Sequence, residues 1–112
     1  MRVQLIFRQN RGDEMISDEI LNQFKSRMHI FHSAEDERLR KDLQISYAIL
    51  QRDYGEFDIF TNVMGKELVF ERTRYVYNEQ LQYFLKNFST ELVNFGLDNV
   101  VMKEDFDVTD KL

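Results

Sequence analysis

The 112 residues contain no proline and only four glycines, at Gly12, Gly55, Gly65 and Gly96. These two residue types are the main interrupters of regular structure, proline because it lacks an N–H and glycine because it leaves the backbone unrestrained. A chain with so few of them runs in long regular elements. Each glycine falls where a hydrophobic pattern starts or stops, so the glycines divide the sequence into segments whose apolar spacing can be read one by one.

The first segment, 2–8, alternates Val3, Leu5 and Phe7 with Arg2, Gln4 and Arg8, the period of two that marks a short strand. Ser17 is then a good N-cap, Asp18 and Glu19 suit the positive helix end, and Ile16 can staple onto Leu21. A helix over about 17–28 follows, burying Ile20, Leu21, Phe24 and Met28 on one narrow stripe. Ser33 opens a second helix, with Glu35 and Asp36 in its first turn and Gly55 as its stop. Its residues Leu39, Leu43, Tyr47, Leu50 and Tyr54 fall within about 80° of the helical wheel and form a core face. Ile45, Ala48 and Ile49 lie almost opposite, which fits a helix held between two layers, one of them supplied by another subunit.

After a linker over 56–65, the run KELVFERTRYVY is apolar all round and predicts a central helix. Arg72 and Arg74 within it need partners, because an unpaired buried charge costs several kcal/mol. Glu35, Asp36 or Glu79 are the partners expected. Asn78 breaks the chain, and Leu81, Phe84, Leu85, Phe88, Leu92 and Phe95 then repeat on one helical face up to Gly96. The tail from 98 lacks helical periodicity; Val100, Val101 and Met102 are read as a strand that orders against a partner, and 103–112 as mobile.

The expectation is therefore an all-α protein, a small bundle of about four helices. It has an N-terminal extension over 1–14 carrying a short strand, a helical domain over 15–97 and an extended, flexible tail over 98–112. One domain is the ordinary outcome for this length. At this size only about two-thirds of the unfolded chain's surface can be buried, so association would add to a modest core.

Fifteen basic against twenty acidic residues give a net charge of −5, which opposes tight binding to phosphates. The absence of cysteine excludes disulfides, thiolate metal sites and cysteine nucleophiles. No run of eighteen apolar residues is present, and MRVQLIFRQNRGDE is too polar for the apolar core of a signal peptide, so no membrane is expected and the site of synthesis and residence is read as cytoplasm.

His29 and His32 are the only histidines, and a closed metal site would need two further ligands beside them, with only carboxylates such as Glu35 and Asp36 at hand. Glu14, Asp18, Glu19, Glu35, Asp36 and Glu37 sit mostly at helix starts, where the helix dipole accounts for them better than acid–base catalysis. No nucleophile motif or phosphate-cradling glycine loop occurs, since no two glycines are closer than ten positions. The five tyrosines and ten phenylalanines lie largely on core stripes, without the basic groove that accompanies base stacking. The residues thus predict a non-enzymatic protein with no cofactor and no metal.

The segment ELVFERTRYVYNEQLQYFLKNFSTELVNF resembles the C-terminal helical half of small head-tail connector (adaptor, head-completion) proteins of long-tailed double-stranded DNA phages and prophages of Gram-positive bacteria. The block FKSRMHIFHSAEDERLRKDLQISYAIL is similar to the same family, so the resemblance spans about residues 15–97. It implies an all-helical structural subunit in the virion neck, assembled in the host bacterial cytoplasm as a dodecameric ring beneath the portal protein. Such a ring extends the channel through which double-stranded DNA passes without specific binding, and receives a neck or tail-completion protein. Ile45, Ile49, Tyr75, Tyr77, Val100, Val101 and Met102 are the interface candidates on this reading. The resemblance begins near Met15, which makes Met15 an alternative start. The competing expectations are a small acidic regulator that inhibits a host protein by mimicking nucleic acid, and a minor enzyme or metal protein using His29 and His32.

Overall fold

The computed structural model describes the backbone of residues 16–111 and the side chains of residues 16–100. The strand expected over 2–8 and the alternative start at Met15 lie outside the described residues. Within them the fold is all-α: α1 (Asp18–Met28), α2 (Asp36–Tyr54), α3 (Val63–Tyr77), a 3-10 turn (Leu81–Tyr83), the short α4 (Phe84–Asn87) and α5 (Ser89–Lys111).

Local chemistry sets the start of α1. The Ile20 amide donates to Ser17 Oγ at 3.2 Å, which satisfies one of the orphan donors at the helix start, and Ile16 beside it is fully buried. The helix ends at His29, which adopts a left-handed conformation (φ 59°), with the Ile30 amide returning to the Lys25 carbonyl at 2.9 Å. The α2 helix begins at Asp36 rather than Ser33 and ends at Gly55 (φ 107°), a conformation that glycine adopts without strain.

The segment over 56–62 does more than link. Phe57 and Ile59 are buried, and Tyr47 on α2 fixes both: its hydroxyl donates to the Phe57 carbonyl at 2.6 Å and accepts from the Ile59 amide at 3.2 Å. Burial pushes the Tyr47 phenol above its ordinary value, only partly offset by the Ile59 hydrogen bond. Asn62 Oδ1 then accepts from the Gly65 amide at 2.8 Å, so α3 starts at Val63, within the run 56–65 that the sequence reads as linker. Gly65 is a point of close approach, not a breaker. A Cβ there would overlap the Phe57 ring.

Ion pairs and ring contacts give the order of packing. Lys25 pairs with Asp36 at 2.6 Å and Arg40 with Asp18, so α1 runs antiparallel to α2. Gln23 accepts from Lys66 at 2.9 Å, Arg27 pairs with Glu67 and Glu71, and the Phe24 and Phe70 rings meet at 5.5 Å, so α1 runs parallel to α3. Leu39, Leu43, Tyr47 and Leu50 of α2 face Leu68, Val69 and Phe70 of α3 in a common core. Phe95 of α5 joins it through Phe57, whose ring it meets at 5.0 Å.

Two expected features differ. The amphipathic stripe after Asn78 is broken at Phe88 (φ −116°), and Leu81 and Leu85 stand 39% and 64% exposed while Phe84, Leu92 and Phe95 are buried. The extended tail is also corrected: α5 passes through Gly96 to Lys111, placing Val100, Val101 and Met102 in a helix rather than a strand. Gly96 costs a helix about 1 kcal/mol relative to alanine, but here it lies against Tyr54, where a Cβ would come within 3.3 Å of the ring. The Asn99 amide adds a hydrogen bond to the Tyr54 carbonyl at 2.7 Å, tying α5 to the end of α2.

Candidate assembly surface

The arginines of α3 have other partners than the acids expected for them. Arg74 is paired by Glu71 on its own helix at 2.7 Å. Arg72 donates to Ser46 Oγ at 3.0 Å, and burial lowers its pKa, with Asp53 and Asp42 close enough to oppose that shift. Glu35 and Asp36 are engaged by Arg38 and Lys25, and Glu79 lies past the helix at φ 57°, exposed. Sequence spacing could not show this, because Ser46 and Thr73, the two fully buried polar residues among the described residues, carry no charge to draw attention. Their hydroxyls lie 2.9 Å apart, and Thr73 also reaches the Val69 carbonyl at 2.8 Å.

Tyr75 and Tyr77 are half-buried and occupied within the chain. Tyr75 packs edge-on against Phe84 and Phe88, both at 5.8 Å, and its hydroxyl accepts from Asn87 at 2.9 Å. The Tyr77 hydroxyl donates to Glu35 at 2.9 Å, which raises its pKa, and Arg38 stands over its ring. Both tyrosines close the bundle where the chain reverses after Asn78.

Ile45 and Ile49 behave differently. Ile45 is 45% exposed, and Ile49, one turn on, lines a cleft of about 220 Å³ with Tyr54, Arg72, Leu81, Phe84 and Leu85. The cleft shares Asp53 and Tyr54 with a second, more open groove of about 790 Å³ between the end of α2 and α5, walled by Val93, Leu97 and Val100. Five large apolar side chains that line these two adjoining grooves, Leu81, Leu85, Val93, Leu97 and Val100, stand 39% to 64% exposed, and Ile45, one turn before Ile49, is 45% exposed. Phe31, at 83%, and Phe60, Val63 and Met64 are exposed elsewhere. Single exposed apolar residues are ordinary, whereas contiguous ones mark contact surfaces.

The chain matches no family model, and no curated protein and no solved structure is significantly similar to it.

Glu35 Oε1 lies 3.9 Å from His32 Nε2. His29 faces the Phe31 ring at 6.3 Å, His32 Nδ1 accepts from the Ala34 amide at 3.3 Å, and among the described residues no group of three His, Cys, Asp or Glu side chains is placed to hold an ion. Acidic side chains of α1–α3 are distributed through ion pairs with Lys25, Arg27, Arg38, Arg40 and Arg74 rather than gathered on one bare face. Among the described residues no helix is long and apolar enough to cross a membrane.

Proposed function

We propose that the chain is a structural, non-enzymatic head-tail connector subunit of a phage or prophage. It assembles with copies of itself as a ring beneath the portal protein, extends the DNA channel and receives a neck or tail-completion protein. The observation that carries this reading is the set of exposed apolar side chains lining the two adjoining grooves beside the end of α2, the Leu81–Leu85 segment and α5. Fully burying a large apolar side chain stabilises by about 1.5–3 kcal/mol, so covering several that stand about half exposed favours association over a free surface.

The net charge of −5 fits a wall past which DNA slides, since basic walls would hold the phosphates. The pairing of acids with neighbouring bases weighs against a nucleic-acid mimic, which needs unpaired negative charge on one face.

Co-expression with the portal protein from the same genome tests the proposal. The expected result is a co-purifying complex that electron microscopy resolves as a ring coaxial with the portal. Failure to co-purify with the portal at low salt, together with a ring absent from neck particles, overturns it.

A further inference from the structure

Residues 1–15 lie outside the described ones, but the point at which they join the fold is fixed. Ile16 is fully buried, and Arg40 on α2 donates both to its carbonyl and to Asp18. Because α1 runs antiparallel to α2, the axis of α1 continued backward past Ile16 points toward the Tyr54 end of α2.

At that end lies the groove of about 790 Å³ between α2 and α5. Arg40 and Gln51, which stands at the groove, are eleven residues apart, about 17 Å along α2, and differ by only about 20° on the helical wheel. Anchor and groove therefore share one side of α2. Leu5 precedes Ile16 by eleven residues, a reach of up to about 36 Å, twice what that path requires.

The groove suits an extended stretch of chain. Val93, Leu97 and Val100, each more than half exposed, run about 10 Å along its α5 wall. Val3, Leu5 and Phe7 share one face of a strand and span about 13 Å, a matching length. Of the residues lining the groove, Asp53 and Glu56 are charged and none is basic. Arg52 engages Asp53 at 2.8 Å, which leaves the exposed Glu56. Residues 1–11 carry Arg2, Arg8 and Arg11 and no acid.

Charge is compatible with this occupant, but the tether selects it. The exposed rings Phe31, Phe60 and Tyr83 of a second copy must reach the groove from solution. A segment joined through a short connection instead stands at an effective concentration on the order of millimolar.

We propose that Val3, Leu5 and Phe7 of each chain seat in that chain's own groove against Val93, Leu97 and Val100. The segment is a strap that keeps this groove from partners in the free chain, while the Leu81–Leu85 cleft stays open. Association through the groove then requires release of the strap. The inference goes beyond the connector reading and holds with or without it.

The chain has no cysteine, so thiol pairs can be placed in the full chain: Leu5→Cys with Leu97→Cys, and as a control Leu5→Cys with Phe31→Cys. Arg40 lies four residues from the start of α2, the end next to Phe31, and eleven from Gln51, so an unseated segment meets Phe31 at least as readily as Leu97. With a mild thiol oxidant at low micromolar protein, the Leu97 pair should close within one chain about tenfold faster than the control, at a rate independent of protein concentration. Intact mass and non-reducing electrophoresis follow both reactions.

A Leu5→Asp, Phe7→Asp double variant of the full chain gives a second readout. It should raise the fluorescence of a hydrophobic dye about twofold over wild type while keeping the helical circular dichroism. Equal closure of the two thiol pairs, cross-links that form only between chains, or unchanged dye fluorescence each overturns the inference. Portal association is measured separately, so the strap can fail while the connector reading stands, and the reverse.

Discussion

Tyr47 shows how one side chain organises a stretch with no secondary structure of its own. Its hydroxyl satisfies a carbonyl and an amide at Phe57 and Ile59, both in the buried interior. Replacing it by phenylalanine keeps the ring but strands two backbone groups, a cost of about 1–3 kcal/mol, which urea denaturation of Tyr47→Phe at pH 7 would measure. The same phenol predicts an alkaline weakness. Its folded pKa is raised above the ordinary 10.0, so above that value the unfolded chain loses the proton while the folded chain retains it. Its contribution is complete below pH 10 and is lost as the pH rises toward the folded value; Tyr77, also raised by its bond to Glu35, acts in the same direction. The urea midpoint of wild type should fall as the pH rises above about 10, and that of Tyr47→Phe should fall less. Gly65→Ala makes a different point at the same scale: a methyl group there meets the Phe57 ring, so the variant should be less stable despite alanine's better helix propensity, and a thermal melt checks the sign.

Among elements, α1 was the most legible in sequence. Ser17, the two acids after it and the stripe Ile20, Leu21, Phe24 state its start and its inner face, and the structure keeps all of them. Ser17→Ala should cost about 1 kcal/mol, and Asn62→Ala about as much, both measurable as shifts in chemical denaturation midpoint. Asn62 was not legible. It sits in the run 56–65 that reads as linker, with Gly65 as the boundary before the helix; only the Phe57 ring, eight positions earlier, explains why that helix must have no side chain there. The C-terminal half failed for a related reason. A periodic run of Leu and Phe fits one amphipathic helix, but the reversal after Asn78 turns Phe84 and Phe88 toward Tyr75, and a helix break at Phe88 is needed to bring Leu92 and Phe95 back to the core. Nothing local in the sequence marks that break.

At the scale of the molecule, the apolar face of α2 around Ile45 is visible from the helical wheel, while the exposure of Leu81 and Leu85 is not, since the spacing places both on the stripe that faces the core, and Val93 and Leu97 lie off that stripe. Charge placed at such a position separates surface from core. Leu85→Lys, at a position 64% exposed, should leave monomer stability within about 0.5 kcal/mol while lowering the binding of a hydrophobic dye, and a melt paired with dye fluorescence tests both. The interior carries a contrasting detail. Ser46 of α2 and Thr73 of α3 meet hydroxyl to hydroxyl in an otherwise greasy interface, with Arg72 capping the pair. Should one helix slide by a turn along the other, apolar side chains would still meet apolar side chains, but Ser46 would lose both Thr73 and Arg72 as partners. The pair therefore works as a detent between two smooth rods, giving up some cohesion so that the bundle locks at a single setting.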